Sequence, residues 1–426
     1  MISNELLPAH IAAEEESFDP FVQATLHFET AARALDLEDW IVERLRHPER
    51  ELSVNLPLVS DAGQALTITG YRVQHCTWQG PTLGGVRFAP DVHLNQVRAA
   101  AMTTTWECAL FDLPFGGSAG AVVCDPQKLS ERELRDVTKE YVYALRGIAG
   151  PMTDVLAPGI GSNPQTAAWM FDGFIRAAGH IEAGVVTGKP EGLWGLPGYD
   201  ALVARSLFLL LERVLVERGR HLRESTIAVQ GFGKIGAAAA RLLHAAGARI
   251  VGIADISGGL YNERGLDVEG LQSYVETNHI MFGFPGASTV ANEDVLEAPC
   301  DLLLAAAAEH QLTSANAGKV RAGVVVEAVK ETITPAADHI FEDRDVLVVP
   351  DILANSTRLL ASVVEWSRNQ RGVCRLNGEV EAHIKDCIQK AYLAVHDAAA
   401  REHISLRRAA HLLAVERVAS ALRLRH

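Results

Sequence analysis

Cysteine is scarce and unpatterned in this chain. The six residues, Cys76, Cys108, Cys124, Cys300, Cys374 and Cys387, form no C-x-x-C pair and no zinc-type spacing. A disulfide framework and a bound metal are therefore not expected, and the thiols read as free in a reduced cytosol. Uninterrupted apolar runs are short, none approaching the roughly eighteen residues of a membrane helix. Positive charge is in deficit: 39 Lys and Arg against 53 Asp and Glu give a formal net charge of −14. That balance excludes nucleic acid and anionic membrane surfaces as expected partners. Glu14-Glu15-Glu16 sits in a weakly apolar start, the opposite of a secretory leader. Internal repeats and low-complexity tracts are missing too. A soluble, cytoplasmic protein is the expectation.

What is present is ordinary globular composition, 48% hydrophobic and 22% charged over 426 residues, more than one core comfortably holds. Two domains are expected. The stretch Thr226 to Asp255 organises the chain. Ile227-Ala228-Val229 reads as a buried parallel strand, followed at once by Gly231-Phe232-Gly233-Lys234-Ile235-Gly236 and an Ala/Leu-rich helical segment. A second apolar run closes on Asp255, about twenty positions after the glycines. Strand, G-x-G-x-x-G, helix and acid in this order form a dinucleotide fingerprint. Gly231 permits the tight turn, Gly233 admits a pyrophosphate to the backbone and Gly236 lets helix meet strand. The helix N-terminus supplies free N–H groups. Asp255 is placed to accept from a ribose 2′-OH, which favours NAD over NADP.

Taken in order, residues 1–17 read as a frayed acidic arm. Asp19-Pro20 predicts an N-cap with proline in the first turn, and apolar spacing carries that helix to about Leu35. A short helix over Glu38–Arg46 and strands over Glu51–Val59 and Ala65–His75 follow. Gly80–Pro90, Leu113–Gly120 and Gly159–Asn163 read as glycine-rich loops, with helices over Gln96–Leu110 and Leu129–Ala149. Thr187–Gly198 reads as a linker and Asp200–Arg218 as a long helix. After the fingerprint, Leu302–Leu304, Val324–Val326 and Val346–Val349 are short buried strands between helical patterns, and Glu379–Leu424 is helical almost throughout.

Six motifs resemble those of the glutamate/leucine/phenylalanine/valine dehydrogenases, most closely the glutamate dehydrogenases. They are Gly80–Phe88, Leu113–Gly117, Val186–Pro190, Gln230–Gly233, Ser257–Asn262 and Val349–Asn355, in family order over about residues 20 to 420. The resemblance implies an α/β fold with an N-terminal mixed-sheet substrate and oligomerisation domain (1–195). A Rossmann dinucleotide-binding domain (196–365) and C-terminal helices packing back on the first domain (366–426) complete it. It also implies hexamers and reversible oxidative deamination of an amino acid, with hydride going to a nicotinamide. In the family one lysine holds the α-carboxylate, a second activates water and an aspartate shuttles protons. In the glutamate enzymes a further lysine binds the side-chain carboxylate.

The departures fall on these groups. The water-activating lysine corresponds to Ala119, the carboxylate-holding lysine to Glu107, the aspartate to Gly159 and the side-chain lysine to Leu83. No residue is therefore assigned as catalytic. Losing one general acid or base costs ~10²–10⁴ in rate, and Glu107 turns attraction for a carboxylate into repulsion. Ser362 survives, Leu360 replaces a threonine near the same pocket, and Arg72, Arg87 and Lys189 are cations able to compensate in part. Leu83, Glu107, Leu360, Ser362, Arg72 and Arg87 are thus the expected substrate or effector pocket. On the cofactor side Val203 stands for a threonine, Lys234 for an asparagine, and Lys330 for the last residue of E-G-A-N. NAD is expected through a weakened site lined by Val203, Gly231 to Gly236 and Asp255, with no metal.

The resulting expectation is a catalytically inactive glutamate dehydrogenase-family subunit in amino-acid metabolism. It would serve an active glutamate dehydrogenase as regulatory or structural partner in a mixed hexamer, and would bind an apolar amino-acid effector such as leucine. Two readings compete with it. One is a working NAD-dependent dehydrogenase of the glutamate or leucine type with a remodelled site; the other is a binding module without a dehydrogenase partner.

Overall fold

The structure, a computed structural model, describes residues 19–372 and 379–425. The acidic arm expected over residues 1–17 and Cys374 lie outside the described residues. Two compact units are present, one comprising Asp19–Tyr199, Arg358–His383 and His411–His426, the other Asp200–Thr357 and Ile384–Ala410.

The first unit begins with α1 (Pro20–Ala34) and α2 (Asp39–Arg46). Asp19 caps α1 by accepting from the Phe21 amide at 2.9 Å, with Pro20 in the first turn. There follow β1 (Arg50–Val59), β2 (Ala65–Gln74), β3 (Thr82–Ala89), α3 (Leu94–Leu110), β4 (Gly116–Val123), α4 (Glu131–Ala144), β5 (Asp154–Pro158) and α5 (Pro164–Ala178). The strands form a mixed sheet ordered β1-β2-β4-β3-β5. The β1–β2 and β2–β4 pairs are antiparallel, whereas β3 runs parallel to both β4 and β5.

Two stretches expected as glycine-rich loops are therefore largely strands, β3 and β4. Glycine serves close packing there rather than turning. A Cβ on Gly84 would lie 1.6 Å from the Ser118 carbonyl oxygen on the neighbouring strand, and one on Gly117 would lie 2.2 Å from the Thr105 amide of α3. Neither position tolerates a side chain. Strand β5 and helix α5 were not anticipated by the periodicity. Each is short or closely flanked by proline and glycine, so its pattern is weak.

A buried ion pair links the strands of this sheet. Arg72 on β2 reaches Asp154 at the start of β5 through Nε–Oδ2 (2.8 Å) and Nη2–Oδ1 (2.5 Å). On the way it donates to Ser118 Oγ on β4 and to the Gly84 carbonyl on β3. The Thr82 and Ser118 hydroxyls also donate to Asp154.

The second unit starts with α6 (Tyr199–Glu217), whose first residue belongs to the first unit. It continues with β6 (Thr226–Gln230), α7 (Lys234–Ala245), β7 (Arg249–Asp255), β8 (Gly258–Tyr261), α8 (Val268–Asn278), β9 (Ser288–Val290) and α9 (Asn292–Leu296). Next come β10 (Leu302–Ala305), β11 (Val324–Glu327), α10 (Pro335–Asp343), β12 (Leu347–Val349) and α11 (Asp351–Ala354). The sheet order is β12-β11-β10-β6-β7-β8-β9, parallel from β12 to β7. Each parallel strand is an almost continuous apolar run, as burial on both faces requires.

The remaining helices are α12 (Thr357–Arg371), α13 (Glu379–Glu402) and α14 (Leu406–Arg425). The last turns of α14 belong to the first unit. There Arg417 donates to the Ala109 and Leu110 carbonyls at 2.8 and 2.7 Å, satisfying orphan acceptors at the end of α3. Arg407, near the start of α14, bridges Glu327 (2.7 Å) and Asp338 (2.9 Å) within the second unit. Among the described residues no helix is long and apolar enough to cross a membrane.

His75, at the end of β2, gives a pH signature. Nε2 lies 2.9 Å from the Leu45 carbonyl and must carry the proton; Nδ1 then accepts from the Thr105 hydroxyl at 2.8 Å. Burial pulls the imidazole down to about 4. An unfolded chain takes up a proton near pH 6.5 that the folded chain refuses, so His75 stabilises fully above 6.5 and progressively less down to about 4. The loss at the acid end is about 3 kcal/mol. Denaturant unfolding from pH 7.5 to 4 is expected to fall more steeply for the native protein than for a His75→Gln variant; parallel curves would refute the assignment.

Candidate functional site

The dinucleotide fingerprint takes the geometry its spacing predicts. Gly231 follows β6 with φ +99°, a left-handed conformation that favours glycine, and a Cβ there would lie 2.6 Å from the backbone of Ala306. A Cβ on Gly236 would meet the Gly231 carbonyl oxygen at 1.9 Å. Gly233 differs: it is exposed, and a Cβ on it meets nothing within 4 Å. The outer side of the turn is thus open where backbone would face a pyrophosphate, and α7 presents its first amides beside exposed Lys234. These features fit a dinucleotide. Phe232 and Val203 are buried, and Ile235 is half-buried in the first turn of α7.

Asp255 closes β7 half-buried, with Oδ1 accepting from the Ser257 amide (2.7 Å) and hydroxyl (2.6 Å). The strand ends around it are fixed by residues that sequence reading did not single out. Asn292 donates to the Asp255 carbonyl at 2.7 Å, and Gln230 donates to Gln311 at 2.7 Å. Nothing local marks Asn292 or Gln311, which lie 37 and 81 positions from these partners.

In the first unit the four positions expected to carry the chemistry are apolar, acidic or bare, and three of them lie on or beside neighbouring strands. Leu83 on β3 is fully buried, in register with Gly117 of β4 and Val155 of β5. Ala119 on β4 faces Val73 of β2 and joins an apolar cluster with Val97 and Ala101 of α3. Glu107 on α3 is 1% exposed. Gly159 follows β5, and a Cβ on it would lie 2.6 Å from the Val86 carbonyl oxygen. Its amide donates to Ser162 Oγ at 2.7 Å.

Leu360 and Ser362 lie buried on α12. That helix is tied to the same strand ends. Trp366 Nε1 donates to the Pro151 carbonyl at 2.7 Å, and its ring packs edge-on against Phe115 at 4.8 Å. Glu365 accepts from the amides of Gly188 (2.9 Å) and Leu196 (3.2 Å). Thr187, next to that anchored amide, has a buried hydroxyl with no hydrogen-bond partner among the described residues. The hydroxyl of Ser362 meets that of Tyr199 at 2.7 Å.

The expected compensating cations need correction. Arg72 is committed to Asp154 and cannot also meet a ligand carboxylate without breaking that pair. Lys189 is buried against Glu365 (Nζ–Oε1 2.7 Å) and also donates to the Val186 carbonyl. Burial lowers its pKa, with Glu365 opposing. Sequence shows each cation but not its partner, which lies 82 and 176 positions away. Arg87 lies half-buried on β3, in register with Ala121 of β4. Among the described residues no cluster of three or more His, Cys, Asp or Glu is arranged to hold a metal.

Comparison with known proteins agrees with this architecture. Residues 195–425 match the family described as glutamate/leucine/phenylalanine/valine dehydrogenase, and residues 48–176 match the Glu/Leu/Phe/Val dehydrogenase dimerisation domain. A cryptic catabolic NAD-specific glutamate dehydrogenase of Bacillus subtilis is 36% identical, the match covering 97% of each chain. NAD-specific glutamate dehydrogenase A of Halobacterium salinarum is 38% identical over 92% of this chain and 90% of its own. Among solved structures, a hetero-hexameric glutamate dehydrogenase from Thermus thermophilus, in a Leu-bound form, superposes with a TM-score of 0.91 at 35% identity, covering 96% of this chain and 98% of that one. On fold, motifs and these similarities, the chain belongs to the glutamate/leucine/phenylalanine/valine dehydrogenase family.

Proposed function

We propose that this chain is a non-catalytic subunit of a glutamate dehydrogenase, assembling with a catalytic homologue and modulating it. The observation that carries the reading is the composition of the four chemical positions. Leu83 and Ala119 offer no ionisable group, Glu107 offers the wrong charge for a carboxylate, and Gly159 offers no side chain. The two nearby cations with described ion pairs, Arg72 and Lys189, are held by Asp154 and Glu365. A retained dinucleotide turn, together with family lysine positions that carry Leu83, Glu107 and Ala119, supports binding without turnover. NAD, which the named bacterial and archaeal relatives use, would be held by Gly231 to Gly236 at the start of α7 and by Asp255. It would accept the hydride if any substrate were oxidised. The purified protein is expected to form NADH from glutamate or leucine at least about a hundredfold more slowly than the ~10 per second of a typical enzyme. Turnover near that value would instead establish a working dehydrogenase with a remodelled site.

Support for a mixed assembly comes from the hetero-hexameric Thermus structure, similar over nearly the whole chain. Co-expression with an active glutamate dehydrogenase from the same cell, followed by native mass spectrometry, is expected to give mixed closed oligomers. Spectra containing only separate homo-oligomers would refute it.

The effector reading takes Leu83 and Leu360 as walls of the pocket. Leu83 and Leu360 favour a leucine-sized side chain by roughly 1.5–3 kcal/mol on full burial, whereas a glutamate side chain would bury an unpaired charge. The Thermus structure holds leucine. Leucine at millimolar concentration is expected to raise the melting temperature and glutamate not to; equal responses would remove the effector from the proposal.

Gly159 separates lost chemistry from lost space. Installing an acid there requires its Cβ to displace the Val86 carbonyl, so the backbone has settled where only glycine fits. Gly159→Asp is expected to destabilise the first unit by about 1–3 kcal/mol without restoring turnover, measured by denaturant unfolding and NADH formation. A neutral effect on stability would show the site to be open to an acid.

A further inference from the structure

The second sheet reverses its strand order between β10 and β6, and a dinucleotide on a doubly wound sheet crosses at such a point. One nucleotide then rests over the carboxyl ends of β6 and β7, the other over those of β10 and β11. The first half is built to receive its nucleotide: the glycine turn is open at Gly233, and Asp255 ends β7. The second half differs in the loops that follow β10 and β11.

Those two loops are laced together. The His310 amide donates to the Glu331 carbonyl at 2.8 Å, the Leu312 amide to the Thr332 carbonyl at 3.0 Å, and the Thr334 amide back to Leu312 at 2.9 Å. His310 and Glu331 each take a left-handed backbone, with φ of +53°. Glycine adopts that conformation freely, whereas glutamate is strained in it. The strain persists at Glu331 because its amide is also held by Asp351 Oδ2 at 3.0 Å. What the strained backbone delivers is a side-chain pair across the loops, His310 Nε2 lying 3.9 Å from Glu331 Oε2. The loop after β10 also abuts the glycine turn. Gln311 accepts from Gln230, the last residue of β6, at 2.7 Å, and a Cβ on Gly231 would meet the Ala306 backbone.

An ionised carboxylate here would attract the positive ring of an oxidised nicotinamide. Burial, with the carboxylates of Glu309 and Asp351 nearby, pushes Glu331 up to about 8. At neutral pH it is mostly uncharged and offers that ring little attraction. The pair therefore takes up room without supplying a contact in return.

We infer that this nucleotide site takes the adenosine diphosphate moiety alone, His310 and Glu331 closing the half where the second nucleotide of NAD would rest. The ligand class is an adenosine diphosphate, free or as one end of a larger molecule. This rests on the proposed reading of Gly231 to Gly236 and Asp255 as a nucleotide site.

The test uses the full-length native protein and the double variant His310→Asn/Glu331→Gly. Asparagine and glycine both accept a left-handed backbone, so the variant is expected to melt no lower than the native protein. Calorimetry is run with ADP and with NAD. The native protein is expected to bind the two within about twofold of each other, and the variant to bind NAD at least about tenfold tighter than the native protein does, with ADP unchanged. Saturation-transfer proton spectra of NAD report the two rings separately. On the native protein saturation is expected to reach the adenine protons and not the nicotinamide protons, and on the variant to reach both. Native protein that binds NAD about tenfold tighter than ADP, with saturated nicotinamide protons, overturns the closed half and leaves the dinucleotide reading standing. Adenine-only contact that persists in the variant overturns the assignment to His310 and Glu331. Binding of neither ADP nor NAD by either protein overturns the nucleotide reading together with this inference.

Discussion

The ion pair between Arg72 and Asp154 sets the terms for the first unit. Arg72 stands on β2 and Asp154 on β5, at opposite sides of β4 and β3 in the sheet order. Glycine on the intervening β4 leaves room for the side chains packed against it. A Cβ on Gly120 would lie 3.2 Å from Arg72 Nη1 and 2.2 Å from the Tyr141 hydroxyl. A pair this deeply buried is weak evidence of net stability, because desolvation offsets most of the attraction. Removing either partner, however, leaves an uncompensated charge at a cost of about 3–5 kcal/mol. The pair works as a register device: Ser118, Thr82 and the Gly84 carbonyl all reach their partners only when four strands are aligned.

The glycine-rich motifs of this sheet have a packing reason of their own. A Cβ on Gly84, Gly117 or Gly120 would lie 1.6 to 2.2 Å from a neighbouring atom, so packing alone keeps these positions bare. They serve the sheet whether or not any substrate is turned over. Motif glycines answer to packing and catalytic side chains answer to function, so the presence of the first says nothing about the second.

Legibility followed sequence separation. The dinucleotide turn was readable because its parts are local: Gly231, Gly236 and Asp255 lie within one strand-helix-strand unit, and each has one steric or polar task. The short strands of the second sheet were readable as apolar runs. Strands β3 and β4 were misread as loops because glycine signals a turn more often than a strand without side-chain clearance. Least legible were the long-range partners. Arg72, Lys189 and Ser362 each looked available in sequence, yet each is engaged by a residue at least 82 positions away. Residue type gives the capacity of a group, and only the fold says whether that capacity is already used.

Under the proposed reading the four replacements are not physically equivalent. A lysine at Leu83 or Ala119 would sit in a buried, mostly apolar position and carry a desolvation cost of several kcal/mol. Its loss to leucine or alanine removes that cost, so once turnover is not selected these changes favour folding. Glycine at position 159 lets the backbone close on the Val86 carbonyl and is then hard to reverse. Glu107 breaks this pattern. It is 1% exposed and ionisable, so relief of a desolvation cost does not account for it. On this reading, relief of desolvation and close backbone packing fit Leu83, Ala119 and Gly159, whereas Glu107 keeps a charge in a buried position and follows from neither.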